Sequence, residues 1–182
     1  MTRKAISAEQ FITHAHARWS KYWMLLTSGD FQKEHFNTMT VGWGSFGTMW
    51  SMPFVQIVVR PTRYTYEFME RYPTFTLCGF PASYRDALQL LGSRSGRDED
   101  KIAASGLTPI ASTQVAAPGF DEADLIVECR KMYWDDLKPA HFLDADTEKH
   151  YPLKDYHRIY FGEIIAMLGS DLHRTAVASA IS

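Results

Sequence analysis

The chain has 182 residues, 46% of them apolar, and 19 Lys and Arg against 21 Asp and Glu give a net charge of −2. This balance argues against a general nucleic-acid binder, and no run reaches the roughly 18 apolar residues of a membrane span. Two isolated cysteines, Cys78 and Cys129, make neither a disulfide framework nor a zinc site, and the mildly basic N-terminus lacks the apolar centre of a signal peptide. The expectation is a cytoplasmic protein with no membrane partner, one domain over 1–182 with its core at about 22–168.

In chain order, residues 7–18 predict a short helix, with Ser7 as N-cap and Gln10 three positions later in a capping-box arrangement. Residues 22–27 form an apolar run that reads as a strand, ended by a turn at Ser28-Gly29-Asp30. A strand with a bulge or close backbone approach follows over 36–46, and an apolar strand over 54–59. Residues 65–72 fit a short helix stopped by Pro73, and 74–80 a strand. Residues 84–91 look helical, and 94–104 read as a charged loop running into a second short helix. Residues 109–123 are rich in Ala, Ser, Gly and Pro and read as a connection, and 125–137 and 156–168 are long strands. The tail after Gly169 is small and polar. Strands at short spacing with no βαβ alternation point to a closed or partly closed antiparallel sheet with helical insertions, which also removes exposed edges.

Gly42-Trp43-Gly44-Ser45-Phe46-Gly47 matches the dinucleotide pattern G-x-G-x-x-G, but that motif needs a helix to open directly after it. Pro53 and the next strand leave no room for one, so the glycines serve a bulge or a backbone approach. In the preceding Asn37-Thr38-Met39-Thr40 run, Asn37 and Met39 would share one face of a strand, with Thr38 and Thr40 on the other. Amides and hydroxyls here could meet the edge of a flavin ring or its phosphate, and a plain Thr-rich edge strand has the same composition. The turn Arg60-Pro61-Thr62-Arg63-Tyr64-Thr65 joins two guanidinium forks, a stiffening proline and hydroxyls. It could hold a phosphate, helped by a helix starting near Thr65, or it could be a solvated turn paired with Glu67 and Glu70. Ser95, Arg97 and Lys101 in the next charged loop could close over the same anion, or mark a solvated helix start. None of the seven histidines has a metal-binding spacing. His157, at the start of the last strand, could contact a second ligand or be an ordinary strand-end residue. Nothing resembles a hydrolytic nucleophile with its base.

Taken in order, Leu25 to Gly29 (LLTSG), Asn37 to Gly44 (NTMTVGWG), Val59 to Glu70 (VRPTRYTYEFME), Ser95 to Lys101 (SGRDEDK) and Asp155 to Ile164 (DYHRIYFGEI) resemble the flavin reductase-like, split-barrel FMN-binding family, most closely its flavoredoxin-like branch. The resemblance spans roughly 22–166. It implies a mainly β fold, a six-stranded antiparallel split barrel of Greek-key type with short helical insertions. It also implies a homodimer with one FMN, rather than FAD, per subunit near the interface. By similarity, Asn37, Thr38, Met39 and Thr40 would contact the ring and ribityl chain, with Trp43 and Trp50 as ring neighbours. Arg60, Arg63, Tyr64 and Thr65 would hold the phosphate and Lys101 would close over it. His157 matches a family histidine on the nicotinamide side, the catalytic candidate, but Tyr156 is inserted and splits the usual Asp-His pair.

The function implied is an FMN-dependent oxidoreductase that takes a hydride from NADH or NADPH and passes electrons to oxygen, a redox partner protein or a second flavin. A flavoredoxin-like electron carrier without its own NAD(P)H activity is the alternative. A flavin-free ligand-binding barrel is a third class.

Overall fold

The computed structural model describes residues 2–175. After a two-residue strand β1 (Lys4–Ala5), the sheet opens with the hairpin of β2 (Met24–Asp30) and β3 (His35–Val41). The hairpin of β4 (Gly44–Met49) and β5 (Met52–Val59) follows, then β6 (Thr74–Gly79), β9 (Leu125–Asp136) and β10 (Arg158–Gly169). A separate ribbon pairs β7 (Pro109–Ile110) with β8 (Gly119–Phe120). The main hydrogen-bonded order is β3-β2-β6-β9-β10-β5-β4, every pairing is antiparallel, and β1 adds to β10. The two end strands, β3 and β4, are consecutive in the chain, yet no ladder joins them among the described residues. The sheet is a mainly β split barrel.

Seven strands on this path replace the six expected, because the strand predicted over 36–46 is two strands. The chain breaks at Gly42-Trp43 and crosses from one end of the sheet to the other. Gly42 packs against the Trp23 ring, and a Cβ on Gly44 would sit 2.6 Å from the Trp19 ring and the Gln56 carbonyl.

The turn predicted at Ser28-Gly29-Asp30 is strand instead. Gly29 adopts φ +135°, a left-handed value open to glycine, and lets β2 run on past it. The reversal comes after it, where the Asp30 carboxylate accepts from the Gln32 and Lys33 amides. The helix predicted over 7–18 does not form as one unit. Ser7 and Gln10 do bond, but the following chain pairs with the C-terminal segment through Ile12 N–H to the His173 carbonyl and Thr175 N–H to the Gln10 carbonyl. Only a short helix α1 (Ala15–Ala17) and a wide turn over Arg18–Tyr22 remain helical. Of the polar tail, residues 170–175 carry one short helical turn, and the rest lies outside the described residues.

The insertions are α2 (Tyr64–Arg71), α3 (Arg85–Ser93) and α4 (Lys101–Ser105). Apolar residues on alternate positions explain why they pack where they do. Met24 and Leu26 of β2 face the barrel core with Met39, Val55, Ile57 and Phe75. Leu25 faces the other way, into a second core with Cys78, Leu88, Leu91, Phe120 and Ile126 beneath α3. A strand buried on both faces needs an unbroken apolar run, which is what Met24-Leu25-Leu26 supplies. The two cysteines are free and fully buried on neighbouring strands β6 and β9, and burial pushes the Cys78 thiol up to about 12. No helix of the described residues is long and apolar enough to cross a membrane.

Candidate functional site

The link between β5 and α2 divides the predicted site residues into two groups. On one side lies a cavity of about 80 Å³, lined by Met39, Arg63, Tyr64, Thr65, Ser95 and Lys101 among others. It is large enough for an oxyanion and too small for a ring system. Three segments meet here: β3, the first turn of α2, and the loop between α3 and α4.

Lys101 dominates this cavity. It is only 3% exposed, and its Nζ donates to the carbonyls of Leu91 (2.9 Å) and Arg94 (3.0 Å) at the C-terminal end of α3. Carbonyls left over at a helix end attract a cation. They do not neutralise it, and neither Lys101 nor Arg63 forms an ion pair among the described residues. Burial first, and Arg63 second, push the ammonium down to about 8 from the ordinary 10.5. Arg63 itself is exposed and donates to the Gly92 carbonyl at 3.2 Å. It precedes α2, whose first turn has no side-chain cap, so its free amides also favour an anion.

Thr65 is buried and accepts from Asn37 Nδ2 at 2.7 Å, which ties β3 to α2 at the cavity wall. Gly96 lies so close to this pair that a Cβ would overlap Asn37 Oδ1 and sit 3.2 Å from the Tyr64 ring. Beyond Tyr64 and Lys101 the cavity adjoins a groove of about 1100 Å³ walled by His35, Phe36, Phe68 and Leu107. Arg97 crosses its rim over the Tyr64 ring, bonded to the Thr62 carbonyl and to Glu67.

Thr38 and Thr40 spend their hydroxyls elsewhere. Thr38 Oγ1 bonds to the Leu26 carbonyl and to Thr27, and Thr40 Oγ1 to the Leu88 carbonyl on α3. Of the Asn37–Thr40 run, Met39 faces the small cavity and Asn37 the adjoining groove.

Arg60 points the opposite way. Its guanidinium bonds Asp155 Oδ1 at 2.7 Å and the His150 carbonyl at 2.7 Å, and stacks over Tyr151 at 4.9 Å. This pins the connection between β9 and β10 onto the β5–α2 turn, with Thr62 Oγ1 at 3.5 Å from Asp155 Oδ2. The paired carboxylates imagined at Glu67 and Glu70 go instead to Arg97 and Arg158.

His157 sits on this second side, buried, with Nδ1 at 2.8 Å from the Tyr151 hydroxyl. The Trp43 ring, half-exposed at the β3–β4 break, lies 5.0 Å from it. Burial, then the Arg60 charge, push the His157 imidazole down to about 4, while Asp155 acts the other way. His157 is therefore neutral at neutral pH. Because its folded pKa lies below the ordinary 6.5, protonation opposes the folded state, and its contribution to stability is lost as pH falls from 6.5 through 4. Urea melts across this window should lose part of that slope in a His157→Gln variant; an identical slope would place its titration elsewhere.

The sequence pattern of the family described as Flavin reductase like domain matches residues 18–177. The chain belongs to this family. It is 32% identical over 108 residues to the uncharacterized protein YddH of Escherichia coli K12, a match spanning 59% of this chain and 57% of that protein, less than two thirds of its length. Flavoredoxin of Desulfovibrio vulgaris (Miyazaki F) has the same fold, with a TM-score of 0.64 at 20% identity over 93% of this chain and 77% of that one. So has an FMN-binding domain of a flavin reductases-like enzyme from Shewanella baltica OS155, with a TM-score of 0.64 at 14% identity, covering 92% and 77%.

In this member of the flavin reductase-like family, the structure brings Met39, Arg63, Tyr64, Thr65 and Lys101 to one cavity and Asn37 to the adjoining groove, bonded to Thr65. It places Arg60, Trp43 and His157 together across the turn, Thr38 against β2 and Thr40 under α3. Tyr151, His150 and the carbonyls of Leu91 and Arg94 have no motif that marks them. The crowding of aromatics and histidines between His141 and His157 is the one signal that could have flagged the first two.

Proposed function

We propose that the protein holds one FMN per subunit and works as an oxidoreductase, taking a hydride from NADH or NADPH and passing electrons to an acceptor. The observation that carries this reading is the buried Lys101 ammonium facing Arg63 across a small cavity at the uncapped start of α2, where neither forms an ion pair among the described residues and the Glu99 carboxylate only partly offsets the Lys101 charge. Two cations held together in a partly desolvated site repel each other, and a phosphate relieves that repulsion. FMN, once bound, supplies a ring that accepts a hydride and gives up electrons.

The chain's own part is binding and positioning. Arg63 offers a planar fork, Lys101 a compact charge, and α2 its first amides. On this reading Trp43 and the neutral His157 would face the ring, and His157 would contribute a hydrogen bond there without a charge. Hydride transfer asks for no side-chain acid or base. FMN fits better than FAD, because the phosphate cavity admits a single oxyanion. The setting proposed is cytoplasmic.

The deciding experiment is the absorption spectrum of the purified protein with release and identification of its flavin, followed by steady-state oxidation of NADH and NADPH. A protein that stays colourless after mixing with FMN and desalting overturns the reading. One observation favours the carrier alternative. Asp155, the partner expected beside a family histidine, is taken by Arg60, and His157 bonds Tyr151 instead. A bound flavin that dithionite reduces but neither nucleotide does would establish the carrier. Arg63→Ala should weaken FMN binding by about 1.5–3 kcal/mol, the range for a hydrogen bond to a charged group. Unchanged affinity in a fluorescence titration would put the phosphate elsewhere.

A homodimer is part of the same proposal. Trp50, Tyr133, Phe161 and Phe54 form a continuous aromatic patch, with ring centroids 6.3, 5.8 and 5.3 Å apart in that order. Trp50 and Ser51 turn the β4–β5 hairpin with φ 52° and 60°, values that usually select Asn-Gly. An exposed tryptophan held in that conformation fits an interface better than solvent. A Trp50→Glu/Tyr133→Glu variant should run as a monomer in light scattering where the parent runs as a dimer; a parent that is monomeric removes this part of the proposal.

A further inference from the structure

The small Arg63–Lys101 cavity and the groove beside it are separate spaces that share two side chains, Tyr64 and Lys101. The wall between them continues through the Asn37–Thr65 bond, with Thr65 on the cavity side and Asn37 on the groove side. The chain itself completes the wall: Ser95 lines the cavity, and Gly96 and Arg97 line the groove. The seam is closed at Gly96, where an added Cβ would overlap Asn37 Oδ1 and stand 3.2 Å from the Tyr64 ring.

Arg97 holds this wall shut. Residues 95–99 form a tight turn of their own, with Asp98 N–H bonded to the Ser95 carbonyl and Arg97 N–H to Ser95 Oγ. Among the described residues, only Arg97 hydrogen-bonds this turn to α2 and the residues leading into it. Its Nη2 donates to Glu67 Oε1 at 2.5 Å and its Nη1 to the Thr62 carbonyl at 3.3 Å, and the guanidinium lies 4.9 Å from the centre of the Tyr64 ring. Arg97 and Glu67 are both exposed, and an exposed ion pair contributes little to overall stability. These contacts can therefore be removed without disturbing either hydrophobic core.

The wall has a chemical consequence for the flavin. FMN ends in a phosphate monoester, whereas in FAD the same phosphorus carries a second phosphate and an adenosine. With the phosphate in the cavity and the ring on the Trp43 and His157 side, that extension points at Tyr64 and Gly96. Beyond them, Asp98 and Asp100 line the groove and would repel a second phosphate. Resting on the flavin reading, we propose that Arg97 determines the preference for a terminal phosphate, by pinning the 95–97 turn against Tyr64 as a stop that FAD does not pass. Arg97 is a positioning residue, because it acts on the wall and touches no part of the flavin.

The test titrates FMN and FAD separately into the flavin-free full chain and reads the ratio of their affinities by fluorescence. The parent should prefer FMN by about a hundredfold or more, which leaves a tenfold change readable. Arg97→Ala loses the ion pair, the carbonyl bond and the ring contact together, and should narrow the ratio by about tenfold. Glu67→Gln loses the ion pair alone and should narrow it by about threefold. Arg97→Ala removes a positive charge and Glu67→Gln a negative one. A plain field effect on phosphate would move the ratio in opposite directions, and a released wall moves it in the same direction. If Arg97→Ala does not fold, Glu67→Gln decides. A parent that binds FMN and FAD alike overturns this inference and leaves the flavin reading standing. So does a ratio that stays put in the variants or moves in opposite directions. A parent that binds neither flavin overturns the flavin reading itself, and this inference with it.

Discussion

A Lys101→Met variant is expected to lose FMN affinity by about 2–5 kcal/mol, the range for truncating one partner of a buried, hydrogen-bonded charge pair. The side chain keeps its length and apolar stem, so the effect isolates the charge. In the flavin-free protein the folded pKa, about 8, lies below the ordinary 10.5. The charged ammonium therefore opposes folding below pH 8, and that opposition fades as pH rises from 8 towards 10.5. A bound phosphate has the opposite effect and raises the Lys101 pKa. FMN affinity of the parent should then fall as pH rises above about 8, while the Lys101→Met variant shows no such fall. Fluorescence titrations on either side of that pH measure both. Equal affinities for parent and variant would assign Lys101 only to closing the end of α3.

Gly29→Ala is expected to give the largest loss of stability, about 4 kcal/mol or more, in the range reserved for backbone strain and overpacking together. Gly29 has φ +135°, and a Cβ there would stand 2.5 Å from Phe36 Cβ while overlapping the backbone of His35 and Phe36. Backbone atoms of a paired strand cannot step aside as a side-chain tip can. The hairpin must reopen next to the Ser28–Asn37 pair, and Asn37 carries the bond to Thr65. Flavin retention should decline together with the urea midpoint. A loss below about 1 kcal/mol would show that β2 and β3 can shift register at little cost.

Local patterning made much of this fold legible. Runs of β-branched and aromatic residues between turn signals located the strands at 54–59, 74–80, 125–137 and 156–168 to within a few residues, and the helices at 65–72 and 84–91 equally well. What failed was decided by distant partners. The 7–18 segment has a sound capping pair, but the pairing of Ile12 with His173 draws the chain out of a helix, and no local signal records a partner so remote. The 36–46 strand alternates well enough to pass for one element. Its break at Gly42-Trp43 depends on where Trp19 and Trp23 pack.

The candidate site was legible in residue type more than in geometry. Arg60 and Arg63 are equivalent in composition and three positions apart, yet one turns to Asp155, 95 residues away, and the other to the cavity above α3. Lys101 was visible as a charge that could close over an anion. That it is buried follows from the end of α3 meeting the next loop, a matter of packing. Thr38 and Thr40 offer hydroxyls by residue type, and β2 and α3 have prior use of them.

The two thiols carry a practical consequence. Cys78 and Cys129 lie on adjacent central strands, wholly shielded, and at neutral pH the Cys78 sulfur is almost entirely in its unreactive protonated form. An alkylating reagent finds nothing to modify in the closed barrel. Its rate of uptake is set by how often the strands part, so the chain carries its own chemical clock for whole-molecule opening, readable by mass with no label added.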